Sequence, residues 1–207
     1  MALFQALAQL VNGKTSPQDS IDPNQPVDTG VTIISGIDPR ATSEAKLIAP
    51  APLPHISRRS LKRVKHRVPV PDTCPYCGHE HVELVEHKTV YKRSYGEWPY
   101  LYLCRNQECG AYVGVHPHTD IPLGTLADAA TREARKANKS WFMRLMKRQQ
   151  CGLNIGYLWL SQEMNIRAEQ CHWSMFDVEL CEQAGAICKA KFEDGTILMP
   201  KHFSRSK

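Results

Sequence analysis

The sequence predicts an α+β protein: small β-hairpins tied by cysteines, packed with about three α-helices and preceded by a long, mostly disordered N-terminal tail. Three observations predict it. Two cysteine pairs, Cys74 with Cys77 and Cys104 with Cys109, bracket a run that reads as β-strands. After Thr125 the apolar residues switch to helical spacing. Between Lys14 and Pro54 the chain is rich in Pro, Ser, Thr, Asp and Gly, with only a short Val31-Thr32-Ile33-Ile34 island of strand-like residues.

The cysteines carry the strongest signal. Cys74-Pro75-Tyr76-Cys77 lets two sulfurs reach one ion from a single turn; Pro75 fixes φ, and Gly78 tolerates the positive φ such a turn needs. Cys104 and Cys109 form a looser knuckle, with four residues between them. Four thiolates match the tetrahedral preference of Zn²⁺ and leave no position open for water. The expected cofactor is therefore one structural zinc ion in a zinc ribbon, against the plainer readings of buried thiols or a disulfide.

Composition bounds the rest. At 207 residues, 42% hydrophobic and 8% aromatic, the chain can bury one modest core, of about 120 residues. Its eight cysteines show no disulfide framework, which suits a reducing, cytoplasmic setting. No apolar run approaches the roughly 20 residues that span a bilayer, and the start of the chain lacks the charge pattern of a signal peptide. The formal charge of +5 is concentrated: Arg58, Arg59, Lys62, Arg63, Lys65 and Arg67 supply six positive charges, so the remainder is close to neutral.

Taken in order, residues 1–13 place Leu3, Phe4, Leu7 and Leu10 on one face of a candidate amphipathic helix. It is too short to stand alone and must dock either on its own domain or, as a partner-binding element, in another protein's groove, a membrane surface being disfavoured by the lack of cations on its polar face. Residues 14–57 read as a flexible linker and 58–71 as a basic arm, the electrostatic footprint of nucleic-acid contact. Residues 72–190 read as ribbon plus helices. Val82, Leu84, Val90 and Tyr91 suggest a first strand, Ser94 to Gly96 a turn, and Tyr100 to Leu103 a second strand leading into Cys104. Lys92 and Arg93 interleave with Tyr91, Tyr95 and Trp98, a pattern able to pair phosphates and stack bases.

Thr125 and Asp128 suggest a capping pair for a helix whose apolar stripe is Leu126, Ala130, Ala134, Ala137, Trp141 and Leu145. Arg132, Arg135, Lys136 and Lys139 then form a basic, solvent-facing stripe. Asn154 suits the cap of a second helix carrying Ile155, Leu158 and Trp159; Ser174 and Asp177 suit that of a third carrying Phe176, Leu180, Ala184 and Ile187. Residues 191–207 read as a hairpin turning at Asp194-Gly195, then a basic tail. His116, His118 and Asp120 supply the residue types of a hydrolytic metal site, but with no second acidic cluster or nuclease pattern the expectation is a structured loop closing the ribbon against the helices. Cys171, His172, Cys181 and Cys188 are spaced irregularly for a second zinc site, and buried reduced thiols are the expectation.

Four runs also resemble a known family: Cys-Pro-Tyr-Cys-Gly at 74–78, Tyr-Val-Gly-Val-His-Pro at 112–117, Thr-Asp-Ile-Pro-Leu-Gly-Thr-Leu-Ala at 119–127 and Cys-His-Trp-Ser-Met-Phe-Asp at 171–177. Together they resemble the zinc-finger-containing domain family found mostly in bacteriophage and prophage proteins, over roughly residues 72 to 189. The resemblance implies a ribbon followed by helices, Cys74, Cys77, Cys104 and Cys109 as zinc ligands by position, and a place in a bacterial host's cytoplasm during infection. The longer second knuckle departs from the usual pattern and leaves His116 as a substitute for the fourth ligand. The expected function is non-enzymatic nucleic-acid binding, mainly through phosphates. An adaptor or inhibitor docking on a host or phage machine such as RNA polymerase or a replication complex is the alternative, and a metal-dependent nuclease the third.

Overall fold

The computed structural model describes residues 24–198. The candidate helix with Leu3, Phe4, Leu7 and Leu10, the first part of the linker and the basic C-terminal tail lie outside the described residues. Two small antiparallel sheets and five α-helices follow in the order β1 (Ile34–Ser35), α1 (Arg58–Leu61), β2 (His66–Arg67), β3 (Val82–Glu86), α2 (Lys88–Tyr91), β4 (Tyr100–Cys104), β5 (Tyr112–Gly114), α3 (Ala129–Gln149), α4 (Leu153–Glu163) and α5 (Val178–Asp194). The ribbon sheet has the order β3-β4-β5, with Val82 opposite Cys104 and Tyr102 opposite Val113. Strand β3 is shorter than its sequence suggests. His87 opens a helical turn, so Val90 and Tyr91 leave the sheet and the aromatic side chains of 91 and 95 meet at the hairpin end.

Residues 24–67 differ most from expectation. The described part of the linker runs along the ribbon, burying Ala41, Leu53 and Ile56, and the basic arm buries Leu61 and Val64 in the same cluster. A few well-spaced apolar residues suffice because the ribbon supplies the other half of the core. Strand β1 pairs with β2, joining linker and arm. Asp38 accepts from Arg40 at 2.9 Å and from Arg67 at 3.1 Å, and Arg40 also reaches Asp120 at 2.8 Å.

A second buried cluster lies among α3, α4 and α5, around Phe142, Leu145, Leu160, Trp173, Phe176 and Cys188. Helix α3 starts at Asp128, whose carboxylate accepts from Thr131 N–H at 2.8 Å, a cap worth about 1 kcal/mol. Thr125 takes no part in that cap; its N–H bonds the Ser174 carbonyl at 3.0 Å. The buried face of α3 is Thr131, Phe142, Leu145 and Met146, while Ala130 and Ala137 are exposed. Alanines bury too little area to orient a helix when phenylalanine and leucine compete.

Helix α4 is capped by Gly152 rather than Asn154, and it buries Gly156, Trp159 and Leu160 while Ile155 and Leu158 face outward. Asp177 caps α5, accepting from Leu180 N–H at 2.8 Å. That helix continues to Asp194, so Lys191 and Phe192 are helical and Gly195, at φ +71°, ends a helix instead of turning a hairpin. Tyr76 joins the two clusters: its hydroxyl donates to the Leu126 carbonyl at 3.0 Å and lies 3.1 Å from Thr131 Oγ1 in the first turn of α3. Among the described residues no helix is long and apolar enough to cross a membrane.

Candidate metal centre and nucleic-acid interface

The metal centre is built by two turns at one end of the sheet. In the first, Gly78 N–H bonds the Cys74 carbonyl at 2.9 Å with Gly78 at φ +68°, and Cys74 N–H bonds the His79 carbonyl at 3.0 Å. The second begins where β4 ends, at Cys104. Its extra length is closed by Asn106, whose side-chain oxygen accepts from Glu108 N–H at 3.0 Å and whose carbonyl accepts from Cys109 N–H at 3.2 Å. Asn106 was missed in the sequence, although an Asn two residues after the first cysteine of a long knuckle is a recognisable turn former.

All four sulfurs lie within 4.8 Å of one another. The Cys74–Cys109 and Cys77–Cys104 sulfur pairs are each 3.6 Å apart, too far for a disulfide, which needs about 2.05 Å. Zn–S bonds of about 2.3 Å in a tetrahedron give sulfur separations of about 3.8 Å, so the donor set and its spacing fit one zinc ion. The Cys77 thiol is lowered to about 7, first by the His79 backbone amide, whereas burial pushes Cys104 up to about 12 and Cys109 upward. Such crowded thiols resist joint ionisation without a cation between them.

A model of a family described as a zinc-finger-containing domain matches residues 70–191. The chain belongs to this zinc-finger-containing domain family. The match covers the four cysteines, the ribbon sheet, α3, α4 and most of α5, so this domain is ribbon and helices together. No curated protein and no solved structure matches the chain.

Among the described residues of the zinc-finger-containing domain, the four cysteines are the one group of His, Cys, Asp and Glu poised to share an ion. His116 is not a substitute ligand: it lines a separate pocket with Pro122, Leu123 and Tyr157. Nor do His116, His118 and Asp120 converge. His118 stacks on His55, with ring centroids 5.5 Å apart, and packs against Trp98, while Asp120 pairs with Arg40. Cys171, Cys181 and Cys188 are buried thiols, pushed up by burial to about 12, about 11 and about 12, and form no ligand group with His172.

The candidate nucleic-acid residues divide into two groups. Arg58 is turned inward, donating to the carbonyls of Arg40, Ser43 and Ala45, and Arg67 pairs with Asp38. Arg59, Lys62, Arg63, Lys65, Lys92, Lys136 and Lys139 are exposed. Arg93 donates to the Tyr95 hydroxyl at 2.6 Å and lies over its ring. Tyr95, Tyr91 and Tyr112 follow in edge-to-face contact at 5.4 and 5.6 Å, and Arg132 caps the run, its guanidinium 4.1 Å from the Tyr112 centroid.

From Tyr112 a groove of about 380 Å³ opens between β5 and α3, lined by Arg132, Arg135, Lys136 and Lys139 and by no carboxylate. Arg135 is not solvent-facing as its helical position suggests. Its guanidinium donates to the carbonyls of Phe176 and Thr125 and to Thr125 Oγ1, at 2.8, 3.3 and 2.8 Å. Burial lowers its pKa, yet an arginine stays charged. The groove therefore holds a half-buried cation satisfied only by neutral oxygens, flanked by exposed cations. Such a site favours an anion.

Proposed function

We propose that the protein binds nucleic acid by its phosphates, without catalysing a reaction, along the groove between β5 and α3, with Arg93, Tyr95 and Tyr91 continuing the surface. One observation carries this reading: four cations at i, i+3, i+4 and i+7 of α3 line one groove with no acid among them. Ordinary surface lysines are interspersed with carboxylates, whereas a polyanion track is not. The exposed arm residues Arg59, Lys62, Arg63 and Lys65 add a second patch of phosphate contacts. The quartet's role is architectural, since the first knuckle's Tyr76 positions the first turn of α3.

Fluorescence anisotropy of labelled oligonucleotides with the full zinc-loaded chain tests it. Micromolar or tighter binding that falls steeply with salt is expected, and Lys136→Ala with Lys139→Ala reduces the log–log salt slope by about two. A folded, zinc-loaded protein that binds no oligonucleotide at low salt overturns the proposal.

A further inference from the structure

The groove adjoins a second cavity of different chemistry. This pocket, about 330 Å³, shares Leu123 and His172 with the groove as common walls. Its own lining adds His116, Tyr157, Ala168 and Met175. The volume sits at the small end of ligand pockets, about 300 to 1,000 Å³. Where the groove is cationic, the pocket is not. Burial holds His116 below its ordinary pKa; burial first, then the charges of Lys139, His116 and Arg135, does the same for His172. Both imidazoles are thus largely neutral near pH 7; His172 offers its Nε2, since Ser174 occupies Nδ1, and His66 adds a third imidazole to the lining. The pocket's one acid is Glu169, which disfavours a phosphate.

One wall is the end of an aromatic stack. Tyr157 lies between His172 and Phe142, 4.8 Å from each at 31° and 33°, and the exposed His172 ring ends the stack. Ser174 holds the imidazole in place: its Oγ is 2.6 Å from His172 Nδ1 and donates to the Leu123 carbonyl at 2.7 Å. A planar, uncharged, hydrogen-bonding ring fits this lining, and the phosphates that would accompany such a ring fit the groove next door.

Resting on the phosphate-groove reading, we propose that the pocket lined by His116, Tyr157 and His172 accepts one unstacked nucleobase of a single strand whose backbone occupies the groove. A base inside a duplex cannot enter without being flipped out, at a cost of stacking and pairing. The surface is therefore selective for single strands, or for bases already unpaired. No covalent step is involved.

The test uses the full chain and three labelled ligands of equal length: a single-stranded oligodeoxynucleotide, its duplex, and a strand of abasic residues that keeps every phosphate. The wild type is expected to bind the single strand about tenfold more tightly than the abasic strand, the scale of one base stack, and more tightly than the duplex. Ala168 is exposed and lines the pocket but not the groove. Ala168→Trp fills the pocket and is expected to lower single-strand affinity to the abasic level while leaving duplex affinity and the thermal midpoint unchanged. Equal binding of all three ligands, or a preference that survives Ala168→Trp, overturns the base pocket and leaves the phosphate groove standing. Binding of none of the three removes the groove reading as well.

Discussion

Arg40 and Asp120, eighty positions apart in sequence, form a two-nitrogen, two-oxygen pair, with Nη1–Oδ2 at 2.8 Å and Nη2–Oδ1 at 2.9 Å. The same guanidinium holds Asp38, which Arg67 holds from the other side. Through these four residues the segment before the zinc knuckles is fastened to the loop after β5. That loop is fixed in turn by Trp98, donating to the Thr119 carbonyl at 3.0 Å, and Tyr102, donating to the Asp120 carbonyl at 2.8 Å.

Arg40→Met leaves two carboxylates short of a partner. With the Arg40 side chain 40% exposed, solvent moderates the loss, and a decrease of about 1–2 kcal/mol in unfolding free energy is expected from urea titration at pH 7. Its pH dependence has a definite sign. Arg40 holds the Asp38 carboxyl below the usual carboxylate range, so its contribution is full above the unfolded-state pKa, about 4, and is lost as pH falls through the lower folded value. The gap between wild type and variant should therefore narrow in acid; a gap that widens contradicts the assignment.

Metal analysis of the reduced protein should return one zinc per chain. Removing it with a chelator should lower the thermal midpoint and loosen the first turn of α3, reported by the Tyr76 environment, and added Zn²⁺ should restore both. Cys77→Ser, at the exposed ligand, should reduce bound zinc without the cavity that replacing a buried cysteine would leave.

The basic arm separates into structural and exposed charges. Arg67→Ala is expected to lower stability by about 1–2 kcal/mol, because it leaves Asp38 one partner fewer in a largely buried place. Replacing Lys62, Arg63 and Lys65 together by alanine is expected to leave the unfolding midpoint in place and to reduce the salt slope of oligonucleotide binding by up to about three. The opposite pattern would show that the arm's exposed face, not Arg67, holds the segment.

Gly185 of α5 allows α3 and α5 to approach closely, and a Cβ there would collide with the Asn138 side chain. Gly185→Ala should destabilise the protein by about 1–2 kcal/mol despite alanine's better helix propensity. Adding Asn138→Gly, which also removes the Asn138 Cβ that would lie 2.8 Å from the added atom, should relieve that collision, a coupling measurable as a double-mutant cycle. Independent, additive losses would place the contact elsewhere.

The zinc ligands and the strand entering Cys104 were legible because local spacing carries them: two turns and one alternating run suffice. The caps of α3 and α5 were legible for the same reason, since Asp128 and Asp177 act within three residues. The rotation of α3 was legible only in part. Leu145 is buried and Ala134 and Trp141 pack against the core as their spacing suggests, but Ala130 and Ala137 are exposed, because the buried face also follows Phe142 and Met146, whose burial energy depends on what α5 presents. Gly195 was equally ambiguous, because Asp-Gly suits either a hairpin or a helix end, and the packing of α5 to its last turn chose the latter.

By itself, then, the sequence determined the α+β class, the four-thiolate quartet and the concentration of positive charge, properties of composition and short spacing. Tertiary structure decided which charges remain available. Arg58 and Arg67 were drawn into the segment that clasps the ribbon, and Arg135 was sunk beneath Thr125 and Phe176, while Lys136 and Lys139 stayed in the open groove. The physical reason is that a cation's role depends on which oxygens reach it. Those oxygens come from residues 10 to 41 positions away for Arg58 and Arg135, a distance that no local pattern encodes.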